Sequence, residues 1–251
     1  MNFTILRFDS IGSTNDEALR QAKAGAAEGL CIVAKQQTAG RGRHGRRWVS
    51  DEDAGLYLSI VLRPELESRF LPLITLMTGV AVHDMLQEFG LSPDIKWVND
   101  VLVQNKKIAG ILAEAAETPT GLAVVVGIGV NMTSAGLSDE LAATATSIRA
   151  ETDRTISISD LEQSLTKYLG YFYGILANTG GATQILDEWR KRSTYFSGKH
   201  VRVTLGGRTF EGVTDGLEPN GALRVRTPDG QLEIVNAGEV ERVRPSENNN
   251  N

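Results

Sequence analysis

From Gly198 the chain is cut into short alternating runs: Val201 to Leu205, Arg208 to Asp215, Ala222 to Thr227 and Gln231 to Asn236. Gly206-Gly207, Pro219-Asn220-Gly221 and Pro228-Asp229-Gly230 separate them. Alternation of apolar and polar residues reads as a half-buried strand, and a two-glycine link between two such runs is a hairpin signal. Four or five strands in about fifty residues can bury their apolar face by curling on themselves. A small β-barrel is therefore expected over residues 196–245, with residues 1–195 as a domain of their own. The asparagine-rich end, residues 246–251, is polar throughout and is expected to be disordered.

The first 195 residues mix two periodicities. Strands are expected at Phe3 to Phe8, Leu30 to Lys35, Gly55 to Arg63, Ile95 to Val98, Val101 to Gln104, Ile108 to Ala115 and Leu122 to Val130. Ser13-Thr14-Asn15-Asp16-Glu17 supplies caps and early acids for a helix ending near Ala24. Apolar residues at helical spacing predict a second helix over Leu71 to Phe89, long enough to cover a sheet. Ser159-Asp160-Leu161-Glu162 reads as a capping box for a helix to about Leu176, and another runs from about Ala182 to Arg192. Between Thr133 and Ser157 the residues are small and polar, which predicts a long loop with one helical turn near Asp139.

Composition narrows the function classes. The formal net charge is −5 and the pI about 5.4, against the basic footprint of a general nucleic-acid binder. No signal peptide is visible, and the apolar run Leu122 to Val130 is too short to cross a bilayer, so no membrane association is expected. The single cysteine, Cys31, excludes an internal disulfide and suits a reducing cytoplasm. Its apolar neighbours read as a packed strand. The three histidines are scattered, and neither a phosphate-binding G-x-x-x-x-G-K-[ST] loop nor a G-x-S-x-G elbow occurs.

Within this acidic chain, Gly40-Arg41-Gly42-Arg43-His44-Gly45-Arg46-Arg47-Trp48 holds four arginines and three glycines, with no acid between Gln36 and Ser50. Glycines let backbone come close to a ligand, and guanidinium forks match carboxylate and phosphate oxygens. The segment reads as a loop that closes over a small polyanion, although a solvated turn would also carry such residues. Lys96-Trp97-Val98-Asn99-Asp100, with Lys106-Lys107-Ile108-Ala109-Gly110-Ile111-Leu112, places charges among strand residues, where they are either mutually paired or functional. Ser13-Thr14-Asn15 at a helix start can grip a polar ligand or simply cap. Gly127 to Asn131 can let a ligand lie on the backbone or merely turn.

In this order the four segments resemble the biotin protein ligases over roughly residues 4 to 245. The resemblance implies an α+β fold: a mixed β-sheet backed by helices, of the class II synthetase-like catalytic type, followed by an SH3-like barrel. Val98 stands where many members have proline. Some members carry an N-terminal DNA-binding winged helix; this chain begins at the catalytic strand and resembles the ligase-only group, with no DNA partner expected.

The resemblance also implies the reaction. Biotin and ATP, with Mg²⁺, give biotinyl-5′-AMP, and the biotin passes to a lysine of a biotin carboxyl carrier protein, by default that of acetyl-CoA carboxylase. Lys107 is implied as the catalytic cation between the biotin carboxyl group and the α-phosphate. Arg41 and Arg43 flank it, with Gly42 and Gly110 close to the ligand. Ser13, Thr14, Asn15 and Gln37 match the positions that hold the ureido ring. Trp48 borders the adenosine, Asn131 lies near the adenine, and Asp100 positions the incoming amine. Metal ligands and the choice between monomer and homodimer are open. A lipoate- or octanoate-transferring relative is the nearest rival, though it favours an R-x-x-G-G-G motif. A non-catalytic biotin sensor has no need of Lys107 and Asp100, and an RNA-binding role fits poorly with the acidity.

Overall fold

The computed structural model describes residues 1–135, 139–152, 154–236 and 238–242. In chain order the strands are β1 (Thr4–Ile11), β2 (Leu30–Gln37), β3 (Gly55–Leu62), β4 (Pro93–Lys96), β5 (Asp100–Val103), β6 (Lys106–Thr118), β7 (Gly121–Asn131), β8 (Ser197–Leu205), β9 (Arg208–Leu217), β10 (Leu223–Arg226), β11 (Leu232–Val235) and β12 (Glu239–Arg242). The helices are α1 (Thr14–Lys23), α2 (Leu73–Glu88), α3 (Asp139–Ala142), α4 (Ile148–Glu151), α5 (Ile158–Leu176) and α6 (Gly181–Lys191). Seven strands form one sheet in the order β1-β2-β3-β7-β6-β5-β4, and five form a second in the order β11-β10-β9-β8-β12. Among the described strands only β1 and β2 pair in parallel, with α1 as their crossover. The remainder is antiparallel, as hairpin connections permit.

The two faces of the large sheet are covered differently, and the difference creates the site. Side chains alternate between faces along a strand. On β7, Val124, Val126, Ile128 and Val130 point to one face and join the main core with α2, α5 and α6. On the opposite face Ala123 and Val125 pack with Ala18 and Ala22 of α1, and with Ile32 and Val61. The next residues on that face are Gly127 and Gly129, level with the N-terminal end of α1 at Thr14. Helix cover stops there and the sheet is left bare of side chains.

Helix α2 is buried on nearly all sides, including Leu73, Leu76, Met77, Val80 and Leu86. With the turn before it, Ser68–Glu88 is apolar enough by length and composition to cross a membrane, at mean hydropathy 1.3. It is 67% buried within the protein and serves as the central core helix. Each fully buried large aliphatic side chain there contributes roughly 1.5–3 kcal/mol. Cys31 is also enclosed; burial, together with the nearby Glu162 charge, pushes its thiol up to about 12.

Several expected boundaries move. The capping box is Ser157 with Asp160, two residues before the expected Ser159–Glu162, because both pairs share the same spacing. Glu162 instead turns inward, and Arg7 donates to it at 2.6 Å. The loop after β7 holds two short helices, α3 and α4, rather than one. The strand expected over Ile95 to Val98 stops at Lys96, and Trp97 to Asn99 form the turn into β5. In the second sheet, β12 is a fifth strand paired with β8. Buried Val201, Val203, Leu223, Val225, Val235 and Val240 come from central and edge strands alike, so the sheet curls around them as a small barrel does. The asparagine-rich end lies outside the described residues.

Candidate active site

The bare patch of sheet becomes a pocket because three loops close around it. Its deep end is the start of α1. Ser13 caps the helix, its Oγ accepting from Asp16 N at 3.4 Å. Gln37, at the end of β2, donates through Nε2 to Ser50 Oγ at 2.8 Å. That leaves Oε1 to accept from Thr14 N at 2.8 Å and Thr14 Oγ1 at 3.0 Å. Ser59 Oγ stands 2.8 Å from Thr14 Oγ1 and donates to Asn15 Oδ1 at 2.6 Å. Asn15 Nδ2 donates to Glu114 Oε2 at 2.9 Å. Ser13, Thr14, Asn15 and Gln37 are all buried, and this network fixes the orientation of the Thr14, Asn15 and Gln37 side chains at the pocket.

The floor is glycine. Gly110 of β6 and Gly129 of β7 are directly paired. A side chain on Gly129 would start 2.4 Å from Trp48 Cε2, and one on Gly110 2.8 Å from Trp48 Cζ3. One on Gly127 would start 2.1 Å from Asn15 Oδ1. The indole of Trp48 therefore rests on bare backbone, and its Nε1 is buried without a hydrogen-bond partner.

Lys107 enters the pocket by an irregularity of the sheet. Strict alternation would send residues 107 and 110 to opposite faces. The pairing of β5 with β6 shifts: Val101 is opposite Ala109, but Leu102 is opposite Lys107, so Ile108 is an extra residue in β6. Such a bulge re-aims the side chain beside it. Lys107 thus lies along Gly110, where an added side chain would start 3.1 Å from its Nζ. Nζ sits 2.6 Å from Asp100 Oδ1 and 5.3 Å from the centre of the Trp48 ring. Asp100 is also 3.7 Å from Lys96 Nζ.

The arginine loop is the roof. Its backbone closes on itself through Gly42 N to Arg46 O at 2.8 Å and Trp48 N to Gly40 O at 3.0 Å. Gly40 is required there, since a side chain would start 2.4 Å from the Trp48 carbonyl oxygen. Arg41 forms ion pairs with Asp16 and Glu114. Against the pull of burial, those carboxylates raise its pKa. Arg43 differs: among the described residues it makes no ion pair, and its Nη1 donates to Asn99 Oδ1 at 3.0 Å. Burial lowers its pKa, Asp100 opposing and Arg46 assisting. A half-buried guanidinium without a counter-charge is prepared to receive an anion.

The pocket so formed is lined by Ser13, Thr14, Asn15 and Gln37 at one end. Arg41, Gly42, Arg43, Trp48, Lys107 and Gly110 complete it, with Asn99, Gly127 and Gly129. Ten of the expected site residues therefore meet in one place. Asp100 stands behind Lys107 rather than in the lining. Asn131 lies on the face of Gly129, two positions on, but its Nδ2 donates to Thr146 O at 2.9 Å and so holds the segment after α3 beside β6. Ser59 and Glu114 complete the network without having been singled out, and Asn99 and Asp16 were read only as parts of longer motifs; an acid in an alternating strand such as β6 looks like any solvent-facing residue.

This arrangement can hold a neutral polar ring at the deep end and an anion between Lys107 and Arg43. Residues 8–131 match the Biotin/lipoate A/B protein ligase family, and residues 196–243 match the Biotin protein ligase C terminal domain. The chain is 35% identical over 238 residues to the bifunctional ligase/repressor BirA of Bacillus spizizenii, covering 91% of this chain and 71% of that protein. It is 33% identical over 239 residues to the biotin–[acetyl-CoA-carboxylase] ligase of Paracoccus denitrificans, covering 91% and 96%. Among solved structures, the biotin protein ligase from Aquifex aeolicus in complex with biotin and ATP superposes with a TM-score of 0.83 at 26% identity, covering 95% of this chain and 99% of that one. A sheet floored with glycine, roofed by arginines and followed by a matching C-terminal module leaves one conclusion: the chain belongs to the biotin protein ligase family.

Proposed function

We propose that this protein is an ATP-dependent biotin ligase, which forms biotinyl-5′-AMP and transfers the biotin to a lysine of the acetyl-CoA carboxylase carrier protein in the cytoplasm. The observation that carries the proposal is the β6 bulge, which sets the Lys107 ammonium beside Gly110 and within reach of Arg43's side of the pocket. Residues 1–195 would be the catalytic domain and 196–245 the appended barrel.

In the first step a biotin carboxylate oxygen attacks the α-phosphorus of ATP and pyrophosphate leaves. Negative charge accumulates on the phosphoryl oxygens, and Lys107 and Arg43 are the fixed cations beside it. In the second step the carrier lysine amine attacks the acyl carbon, AMP leaves with the bonding pair, and the amine loses a proton. Charge then sits on the carbonyl oxygen, where Lys107 again serves. A preorganised donor of this kind is worth roughly 3–4 kcal/mol because it needs no reorientation as charge develops. Asp100 holds the ammonium in place and lies where it can orient the incoming amine. Thr14, Asn15 and Gln37 would hold the ureido group, Trp48 the adenosine, and Asn131 the edge near the adenine. Mg²⁺ would ride in on the ATP phosphates as part of that substrate.

Incubation with MgATP, biotin and a carrier domain should raise the intact mass of the carrier by one biotinyl group. Absence of both that gain and biotin-dependent pyrophosphate release would overturn the proposal. The rival lipoate reading predicts that lipoate, rather than biotin, raises the thermal midpoint. Arg43→Gly should remove the roof cation that lines the pocket with no ion-pair partner among the described residues and let biotinyl-AMP escape at least about tenfold faster, one charge-assisted contact being worth about 1.5–3 kcal/mol. Retention of the intermediate at the wild-type rate would remove Arg43 from the roof.

A further inference from the structure

The second sheet reaches back to the site at two points. Trp97, in the turn between β4 and β5, is buried and donates through Nε1 to the Gly221 carbonyl at 3.0 Å. Gly221 is itself wedged against α2: a side chain there would start 2.8 Å from Leu76 Cδ1 and 2.9 Å from Leu73 Cδ2. The barrel is thus seated against the turn whose next residues, Asn99 and Asp100, hold Arg43 and Lys107. The second point lies on the roof. Arg46 of the arginine loop forms an ion pair with Glu239, the first residue of β12, which is held in register opposite Thr204.

These contacts close a circuit. The loop is tied through Arg43 to Asn99, that turn is tied through Trp97 to the barrel, and the barrel is tied through Glu239 back to the loop. Arg46 is anchored by its backbone, its carbonyl oxygen accepting from Gly42 N and its own N–H donating to Arg43 O, while its side chain is exposed. Arg46 and Glu239 do not line the pocket, so they act on the loop and not on a ligand.

We propose that the C-terminal barrel is a latch for the arginine roof, with Arg46 and Glu239 as positioning residues that set how long the acyl-adenylate is retained. The inference about retention rests on the ligase reaction proposed above; the latch itself concerns the ligand-free protein. An exposed ion pair is a weak contact, so a change of a few fold is the proper expectation.

The test uses Glu239→Arg, Arg46→Glu and the double exchange in the full chain. Two quantities are read: the rate of tryptic cleavage after Arg41, a site that every variant keeps, without ligand, and the release rate of preformed biotinyl-AMP. Each single reversal should raise both about three- to fivefold, and the double exchange should return both to within about twofold of wild type. Circular dichroism melting identifies a variant that fails to fold, for which Glu239→Gln is substituted, with an expected rise of about twofold. Single variants that cleave and release at wild-type rates overturn the latch, as does a double exchange that leaves the defect in place. Should the wild-type protein form no biotinyl-AMP, the ligase proposal fails, and the tryptic arm still decides the latch.

Discussion

Lys107→Ala is expected to slow biotin-dependent pyrophosphate release by roughly a hundred- to a thousandfold, the usual consequence of losing a preorganised donor at a developing charge. The side chain is a third exposed and its neighbours are a glycine, an indole and an aspartate, so no core contact goes with it. Circular dichroism and the thermal midpoint should therefore stay close to wild type. Biotin affinity should fall far less than the rate, because the deep network of Thr14, Asn15, Gln37 and Ser59 is untouched. Arg43 cannot substitute, since Asn99 and the loop fix its direction. Near-normal pyrophosphate release in a folded Lys107→Ala protein would remove the ammonium from the mechanism.

The second large effect is expected at a residue with no side chain. Gly129→Ala introduces a carbon 2.4 Å from the Trp48 ring, inside any tolerable contact. Either the indole lifts or the strand shifts, and overpacking of this kind costs about 1–3 kcal/mol. Because Trp48 carries the roof's closing residue, its displacement should raise KM for ATP by roughly ten- to a hundredfold while KM for biotin changes less, about 1.4 kcal/mol being one factor of ten. Gly174→Ala is the control: it lies in α5 with open space around it, and should be neutral or slightly stabilising. Steady-state kinetics with each substrate varied separately would decide; an unaltered KM for ATP would mean that Trp48 does not border the nucleotide.

Much of this site was legible from local pattern. The arginine loop betrayed itself by charge segregation, and the start of α1 by its caps. The barrel was visible in its glycine punctuation. What escaped was whatever depends on register. The Ser157–Asp160 box and the Ser159–Glu162 pair have the same spacing, and only the distant Arg7 draws Glu162 inward. Asn99 was readable as part of a motif, but its bond to Arg43 joins segments 56 residues apart in sequence. Glu114 sits in ordinary strand alternation, and its role arises because β6 runs past the end of α1. Long-range pairing converts these unremarked residues into structure, and no periodicity reports it.

The extra residue at Ile108 gives the Lys107 ammonium an unusual kind of address. Its direction depends on a count of peptide units between the hairpin and Gly110, and neighbouring side chains have little say in it. Exchanges of one amino acid for another along that strand preserve the count, whereas losing or gaining a single unit would turn the amine toward the oily layer beneath α2. Substitution and length change, often treated as grades of one perturbation, therefore differ in kind at this point of the chain.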